Sequence, residues 1–209
     1  MKHAYVYVLD ALADWELGHV TAELNSGQYF KCPGGRVPVR TVGASGEPVV
    51  TKGGFTIVPD LTVEDIRPET CAVLLLPGAD TWQDPRHRPI LAKTAELLDS
   101  GCLVAAICGA TAALAEAGLL DNRPHTSNSL EFLTFFCPNY RGASFYRDEP
   151  VVVDGRLITT GSAGALLLAR EVMRRLDVMS GEALEAWYNY YSTGEAAYFY
   201  ALTGAVSDR

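Results

Sequence analysis

Along this chain, short unbroken apolar runs alternate with stretches in which apolar residues recur every three or four positions. Ala4 to Leu9 is apolar throughout, rich in β-branched and aromatic residues and closed by Asp10, which predicts a buried strand. From Leu12 to Leu24 the spacing is helical, with Leu17, Val20 and Leu24 on one face, and Asn25-Ser26-Gly27 ends it. Val37 to Val42 predicts a second strand, Gly43 to Gly46 a turn, and Glu47 to Val58 a short hairpin around Lys52-Gly53-Gly54. Ala72 to Leu76 is a buried strand ending at Pro77-Gly78, and Leu103 to Ile107 is another. Helices are predicted at Pro89–Ser100, Thr111–Ala117 (stopped by Gly118), Ser129–Phe136 and Gly164–Leu176. Val151 to Thr159 reads as strand–turn–strand, because Asp154-Gly155 supplies the positive φ of a primed turn. Strands alternating with helices predict a doubly wound α/β sheet, with a ligand crevice at the carboxyl ends of its strands.

The composition narrows the classes. The chain has 209 residues, 48% hydrophobic and 20% charged, enough for one domain with its own core. A formal net charge of −8 without a Lys/Arg run argues against nucleic-acid or anionic-membrane partners. No apolar stretch is long enough to span a membrane, and the N-terminus lacks the pattern of a signal peptide. Cys32, Cys71, Cys102, Cys108 and Cys137 are scattered and odd in number, which suggests neither a disulfide framework nor a metal site and fits a cytoplasmic, reducing compartment. Walker A, GxGxxG and HExxH motifs are missing, so no cofactor or metal is expected.

Residues 180–209 differ from the α/β segment 1–179. They hold Trp187, Tyr188, Tyr190, Tyr191, Tyr198, Phe199 and Tyr200, on one or two helices broken at Gly194. A C-terminal helix packed on the sheet is one reading. A homodimer surface or a lid over the site, with Trp187 and several of the tyrosines in contact, is the other.

At Ala105-Ala-Ile-Cys108-Gly-Ala-Thr a buried strand runs directly into a helix, with cysteine at the junction. Such a junction strains the backbone and tolerates only small neighbours, here Ala106, Gly109 and Ala110. This is the steric pattern of a nucleophile elbow. The helix N-terminus favours a thiolate, so a pKa below the free value of about 8.5 is expected for Cys108. On position alone, an inert buried cysteine is an equal reading.

Leu74-Leu-Leu-Pro-Gly78, Ala105 to Thr111, Ala117-Gly-Leu-Leu-Asp121 and Val152 to Thr160 resemble successive landmarks of the ThiJ/PfpI superfamily, over roughly residues 4 to 177. The resemblance implies a flavodoxin-like α/β fold with a cysteine elbow and, in this chain, extra C-terminal helices. It implies a Glu hydrogen-bonded to the elbow cysteine. Asp14-Trp15-Glu16-Leu17 resembles that segment, so Glu16 is the expected partner, within about 3.5 Å of the sulfur. By spacing alone Glu16 would be an exposed residue in a first helical turn, as Asp14 and Glu23 are read here. Gly109 and Gly78 lie where their N–H groups could form an oxyanion hole, although Gly78 serves equally as a plain turn residue.

The peptidase branch of the family carries His directly after the nucleophile. Here that position is Gly109, which argues against a peptidase triad. The glyoxalase-like branch has a later His. His125, in Arg123-Pro-His-Thr-Ser-Asn128, falls in that region but one residue out of register, which leaves its facing open. His3, His19 and His87 are read as surface residues. The downstream His-x-Glu of glutamine amidotransferases is missing. The resemblance implies a cofactor-independent cysteine enzyme acting on a small carbonyl or acyl compound, of glyoxalase, deglycase or hydrolase type. Cys108, Glu16 and His125 would be catalytic, Gly78 and Gly109 oxyanion donors, and the chain a homodimer. The alternative is a stress-response redox sensor or binding protein that oxidises Cys108 without turnover.

Overall fold

The computed structural model describes residues 2–207; Met1, Asp208 and Arg209, at the outer ends of the two predicted segments, lie outside the described residues. In chain order the strands are β1 (His3–Tyr7), β2 (Val39–Gly43), β3 (Val49–Val50), β4 (Thr56–Ile57), β5 (Leu61–Thr62), β6 (Cys71–Leu76), β7 (Leu103–Ile107), β8 (Val151–Asp154) and β9 (Leu157–Thr160). The helices are α1 (Gly18–Ser26), α2 (Arg88–Asp99), α3 (Gly109–Glu116), α4 (Leu130–Phe136), α5 (Ala165–Leu176), α6 (Gly181–Thr193) and α7 (Ala196–Ser207).

The apolar runs Ala4–Tyr7, Val73–Leu76 and Leu103–Ile107 are buried on both faces and become the centre of a seven-stranded sheet ordered β5-β2-β1-β6-β7-β9-β8. Every pairing is parallel except β8–β9, the hairpin that Asp154-Gly155 closes with Gly155 at φ 56°. This is the α/β architecture expected from the alternation of elements. The chain winds outward from β1 on one side and from β6 on the other. The crevice therefore opens where β1 and β6 separate, at their carboxyl ends. Among the described residues, no helix is long and apolar enough to cross a membrane.

The helix predicted from Leu12 starts only at Gly18. Before it, residues 9–13 are held in an irregular path by other segments. Ala11, at φ 59°, donates its N–H to Val50 O (2.8 Å), and Ala13 donates to Gly78 O (2.9 Å). The Leu12 carbonyl, which a helix starting there would offer to the Glu16 N–H, instead accepts from Lys52 N–H (2.9 Å). Asp14–Glu16 then forms one 3-10 turn. The predicted hairpin is the separate β3–β4 pair, and the edge strand β5 was not foreseen.

Several side chains lie deeper than their spacing suggested. His87 is buried, with Nδ1 2.7 Å from the Tyr7 hydroxyl, and His3 and His19 are half-buried. Glu23 is buried rather than exposed, and its Oε1 accepts from Trp187 Nε1 at 2.9 Å. Trp187 is fully buried within its own chain and stacks edge-on with His19, so it cannot be an exposed contact or a lid over Cys108. Of the other tail aromatics, Tyr191, Phe199 and Tyr200 remain exposed.

Candidate active site

Three segments meet at the crevice: the turn after β1, the Leu-Pro-Gly turn after β6 and the β7–α3 junction. Cys108 sits at that junction with φ 57° and ψ −123°, a region strained for any residue with a Cβ. The strain is held from both sides. Cys108 N–H donates to Thr160 O on β9 (3.0 Å), and its carbonyl accepts from the Thr111 N–H (3.0 Å) and hydroxyl (2.6 Å) of α3. The thiol is half-buried at the first turn of α3.

Glu16 comes to this thiol through glycine. In the β6–β7 register Leu76 faces Ala106, and two residues further Gly78 lies opposite Cys108. A Cβ at Gly78 would sit 2.7 Å from Cys108 Cβ and 2.8 and 2.9 Å from the two Glu16 carboxyl oxygens. The absent side chain is the space in which the thiol residue and the carboxyl meet. Trp82 braces the turn by donating Nε1–H to Pro77 O at 2.8 Å. Glu16 is buried, with Oε2 accepting the Gly78 N–H at 2.6 Å and Oε1 without a hydrogen-bond partner. The thiol and Oε1 do not meet hydrogen-bond geometry, yet the two groups are close enough for each to shift the other's titration.

Burial pushes the Glu16 carboxyl up, against the opposing pull of the Gly78 N–H, the thiol and Lys52. Burial likewise pushes the Cys108 thiol up. The Asn128 amide pulls it down, the Glu16 charge raises it, and the Gly109 N–H lowers it. The thiol is therefore not depressed as its helix position suggested, because desolvation and a neighbouring carboxyl outweigh the helix terminus. Both groups are therefore held toward their neutral, protonated forms.

Of the two expected oxyanion donors, the Gly78 N–H is taken by Glu16, while the Gly109 N–H, next to the sulfur, lowers the thiol's titration. Gly109 is also hemmed in, since a Cβ there would lie 2.9 Å from Ala79 O. That contact leaves no room for the histidine that a peptidase-type site would carry at this position.

His125 is in the expected region but turned away. It is wholly buried, with Nδ1 2.8 Å from Arg123 O and Nε2 2.7 Å from the Tyr140 hydroxyl. A carbonyl can only accept, so Nδ1 carries the proton and Nε2 accepts from Tyr140. Burial holds the imidazole pKa down. Neither nitrogen is left to serve the thiol, which corrects the expectation of His125 as a base. From the same segment it is Asn128 that reaches the sulfur, its Nδ2 3.5 Å from Sγ and its Oδ1 accepting from Ser162 N–H at 2.8 Å. Only its place three residues beyond His125 pointed to it.

Asn128 also forms one wall of a cavity of about 340 Å³ that runs past Ser127 and Gly161 to Asp148, Glu149 and Leu167. Lys52 Nζ pairs with Asp80 Oδ1, two residues after Gly78, at 2.9 Å. Among the described residues, no group of three or more His, Cys, Asp or Glu side chains is placed to hold a metal ion.

The sequence profile of the DJ-1/PfpI family matches residues 2–175. The chain is 40% identical over 206 residues to the uncharacterized protease YoaZ of Bacillus subtilis, covering 99% of this chain and 98% of that one. It is 26% identical over 145 residues to the glutathione-independent glyoxalase DJR-1.2 of Caenorhabditis elegans, covering 68% and 75% of the two chains. The crystal structure of a ThiJ/PfpI family protein from Bacillus anthracis superposes with a TM-score of 0.95 at 44% identity, covering 98% of this chain and 97% of that one.

Proposed function

Because the chain belongs to the DJ-1/PfpI family, we propose that it is a cysteine enzyme in which Cys108 adds to the carbonyl carbon of a small aldehyde, ketone or acyl compound while Glu16 relays the proton. The observation that supports this most directly is the buried carboxyl held beside a strained elbow thiol, with a glycine cleared between them. In the first step the Sγ–C bond forms and the carbonyl π bond breaks. The thiol proton passes to Glu16, and the carboxyl proton passes to the new oxygen, so the adduct is neutral and no external base is needed. Oε1, which has no partner in the resting site, is the atom placed for this exchange.

A glyoxalase-, deglycase- or hydrolase-type reaction shares this step. The similarity to a glyoxalase supports the first, and Gly109 argues against a peptidase mechanism despite the description given to the YoaZ relative. The reading includes a homodimer, with exposed Tyr191, Phe199 and Tyr200 as candidate contacts; sedimentation as a monomer at micromolar concentration would remove that part.

A second reading rests on the donors around the sulfur. The Asn128 amide and the Gly109 N–H could hold an oxygen added to Sγ, which is what a redox sensor needs. Incubation with a 2-oxoaldehyde separates the two. Product formation abolished in Cys108→Ser and strongly reduced in Glu16→Gln supports the enzyme. No turnover, with sulfinate forming selectively at Cys108 under peroxide, supports the sensor.

A further inference from the structure

The Lys52-Gly53-Gly54 turn is fastened to the segments that carry the reacting groups. Lys52 N–H donates to Leu12 O (2.9 Å), and Val50 N–H to Asp10 Oδ1 (2.9 Å). Gly53 N–H donates to Asp14 Oδ2 (2.6 Å), two residues before Glu16. A Cβ at Gly53 would lie only 3.0 Å from the Asp14 carboxyl, so this contact also depends on glycine. The Lys52 ammonium meets Asp80, two residues after Gly78. The hairpin thus ties to the segment before Glu16 and brings its ammonium to the segment after Gly78. The hairpin's own strand pairing requires none of these ties. Asp80 in turn lies two residues from Gly78, whose would-be Cβ stands 2.7 Å from Cys108 Cβ, so the ammonium is held on the turn that borders the thiol.

We propose that Lys52 is a specificity residue that draws carboxylate-bearing electrophiles to Cys108, so that the substrate is a small carbonyl compound carrying a carboxylate near its reacting carbon. The claim rests on the reading of Cys108 as the nucleophile. The Lys52–Asp80 pair is solvent-exposed on both sides, 42% and 65%, and such pairs contribute little, so an incoming anion can replace Asp80. The site offers one such cation among the acidic groups Asp80, Asp14 and Glu16. A monoanionic carboxylate that takes the place of Asp80 against Lys52 adds the least negative charge among these acids, whereas a phosphate dianion would meet stronger repulsion from them.

The test compares iodoacetate with iodoacetamide as alkylating agents, read at Cys108 by peptide mass spectrometry in a Cys32→Ser background, since Cys32 is the exposed cysteine. Both reagents react with the thiolate, so the ratio of their rates cancels the thiolate fraction and is blind to a shifted thiol titration. The ratio should fall about three- to tenfold in Lys52→Gln, the effect of one unit charge acting across a few ångströms of solvent-like medium. It should persist in Lys52→Arg and rise in Asp80→Asn. In the unsubstituted chain it should decline toward high salt. A ratio unchanged in Lys52→Gln and insensitive to salt overturns the role of Lys52. Should Lys52→Gln fail to fold, the Asp80→Asn and salt arms decide alone. Failure of Cys108 to react with either reagent in any variant would instead overturn the nucleophile reading.

Discussion

Replacing Gly78 with alanine adds one methyl group at the point where Cys108 and the Glu16 carboxyl meet. Ordinary non-bonded contacts between heavy atoms lie near 3.5–4.0 Å. The new Cβ would stand 2.7 Å from Cys108 Cβ and 2.8 and 2.9 Å from the Glu16 oxygens. Each neighbour would have to retreat by about half an ångström or more, and none is free to do so. Cys108 is tied by its N–H to Thr160 and by its carbonyl to Thr111. Glu16 is tied to the N–H of the substituted residue itself. Overpacking of this kind costs about 1–3 kcal/mol. For a domain of this size that lowers Tm by about 2–12 °C. The same displacement parts the carboxyl from the thiol, so the pH profile of Cys108 alkylation should move with the melting temperature. Gly181→Ala is the control. It lies at the start of α6 with nothing within 4 Å of its would-be Cβ, and should be neutral or stabilising by about 0.5–1 kcal/mol. If Gly78→Ala melts within a degree of the parent and keeps its alkylation profile, the glycine is not what brings the two groups together.

Other substitutions probe the same energetics. Because burial raises the Glu16 pKa, the native state binds that proton more tightly than the unfolded chain, and the carboxyl costs stability as pH climbs through the unfolded value of about 4.3 and on past the folded one. Glu16→Gln should therefore gain on the parent in denaturant melts from pH 4 to pH 8, and a difference that stays flat across that range would refute the assignment. Cys108→Gly should be more stable than Cys108→Ala by about 1 kcal/mol, reversing the usual order, because glycine relieves the positive φ; equal melting points would mean that the elbow stores no strain. Trp187→Phe deprives the buried Glu23 of its donor. The loss should be about 1–3 kcal/mol and larger at pH 8 than at pH 4, where Glu23 takes up a proton; a pH-independent loss would point to packing alone.

The central strands were legible because a strand buried on both faces needs an unbroken apolar run, and Ala4–Leu9, Ala72–Leu76 and Leu103–Ile107 have little else to be. The elbow was legible because its sterics restrict residue size at three positions around Cys108. What escaped depends on partners distant in sequence. Leu12 and Ala13 have helical spacing, but the hairpin and the Gly78 turn take up the backbone groups around them. Trp187 reads as a surface aromatic until Glu23, 164 residues away, is found accepting its N–H. The N–H of Gly78 looked free because nothing local shows that a carboxylate already uses it. His125 and Asn128 differ by three positions in one loop, and only the fold decides which of them faces the sulfur.

The commitment of the Gly78 N–H bears on how a substrate would be received under the proposed function. An oxyanion hole with free donors stabilises a full negative charge on the reacting oxygen. Here the Gly78 N–H is already taken by the Glu16 carboxyl, and burial pushes up the titration of both that carboxyl and the Cys108 thiol. A site in this state gains little from forming an alkoxide and more from never separating charge, since an isolated charge in such surroundings is costly. Proton exchange through Glu16 in step with C–S bond formation meets that condition. It also accounts for a buried carboxyl whose second oxygen has no partner before substrate arrives. If the charge is kept neutral at the reacting atoms, selection by charge has to occur elsewhere, and the exposed cation on the hairpin, outside the desolvated pair but within range of it, is where the fold has room for it.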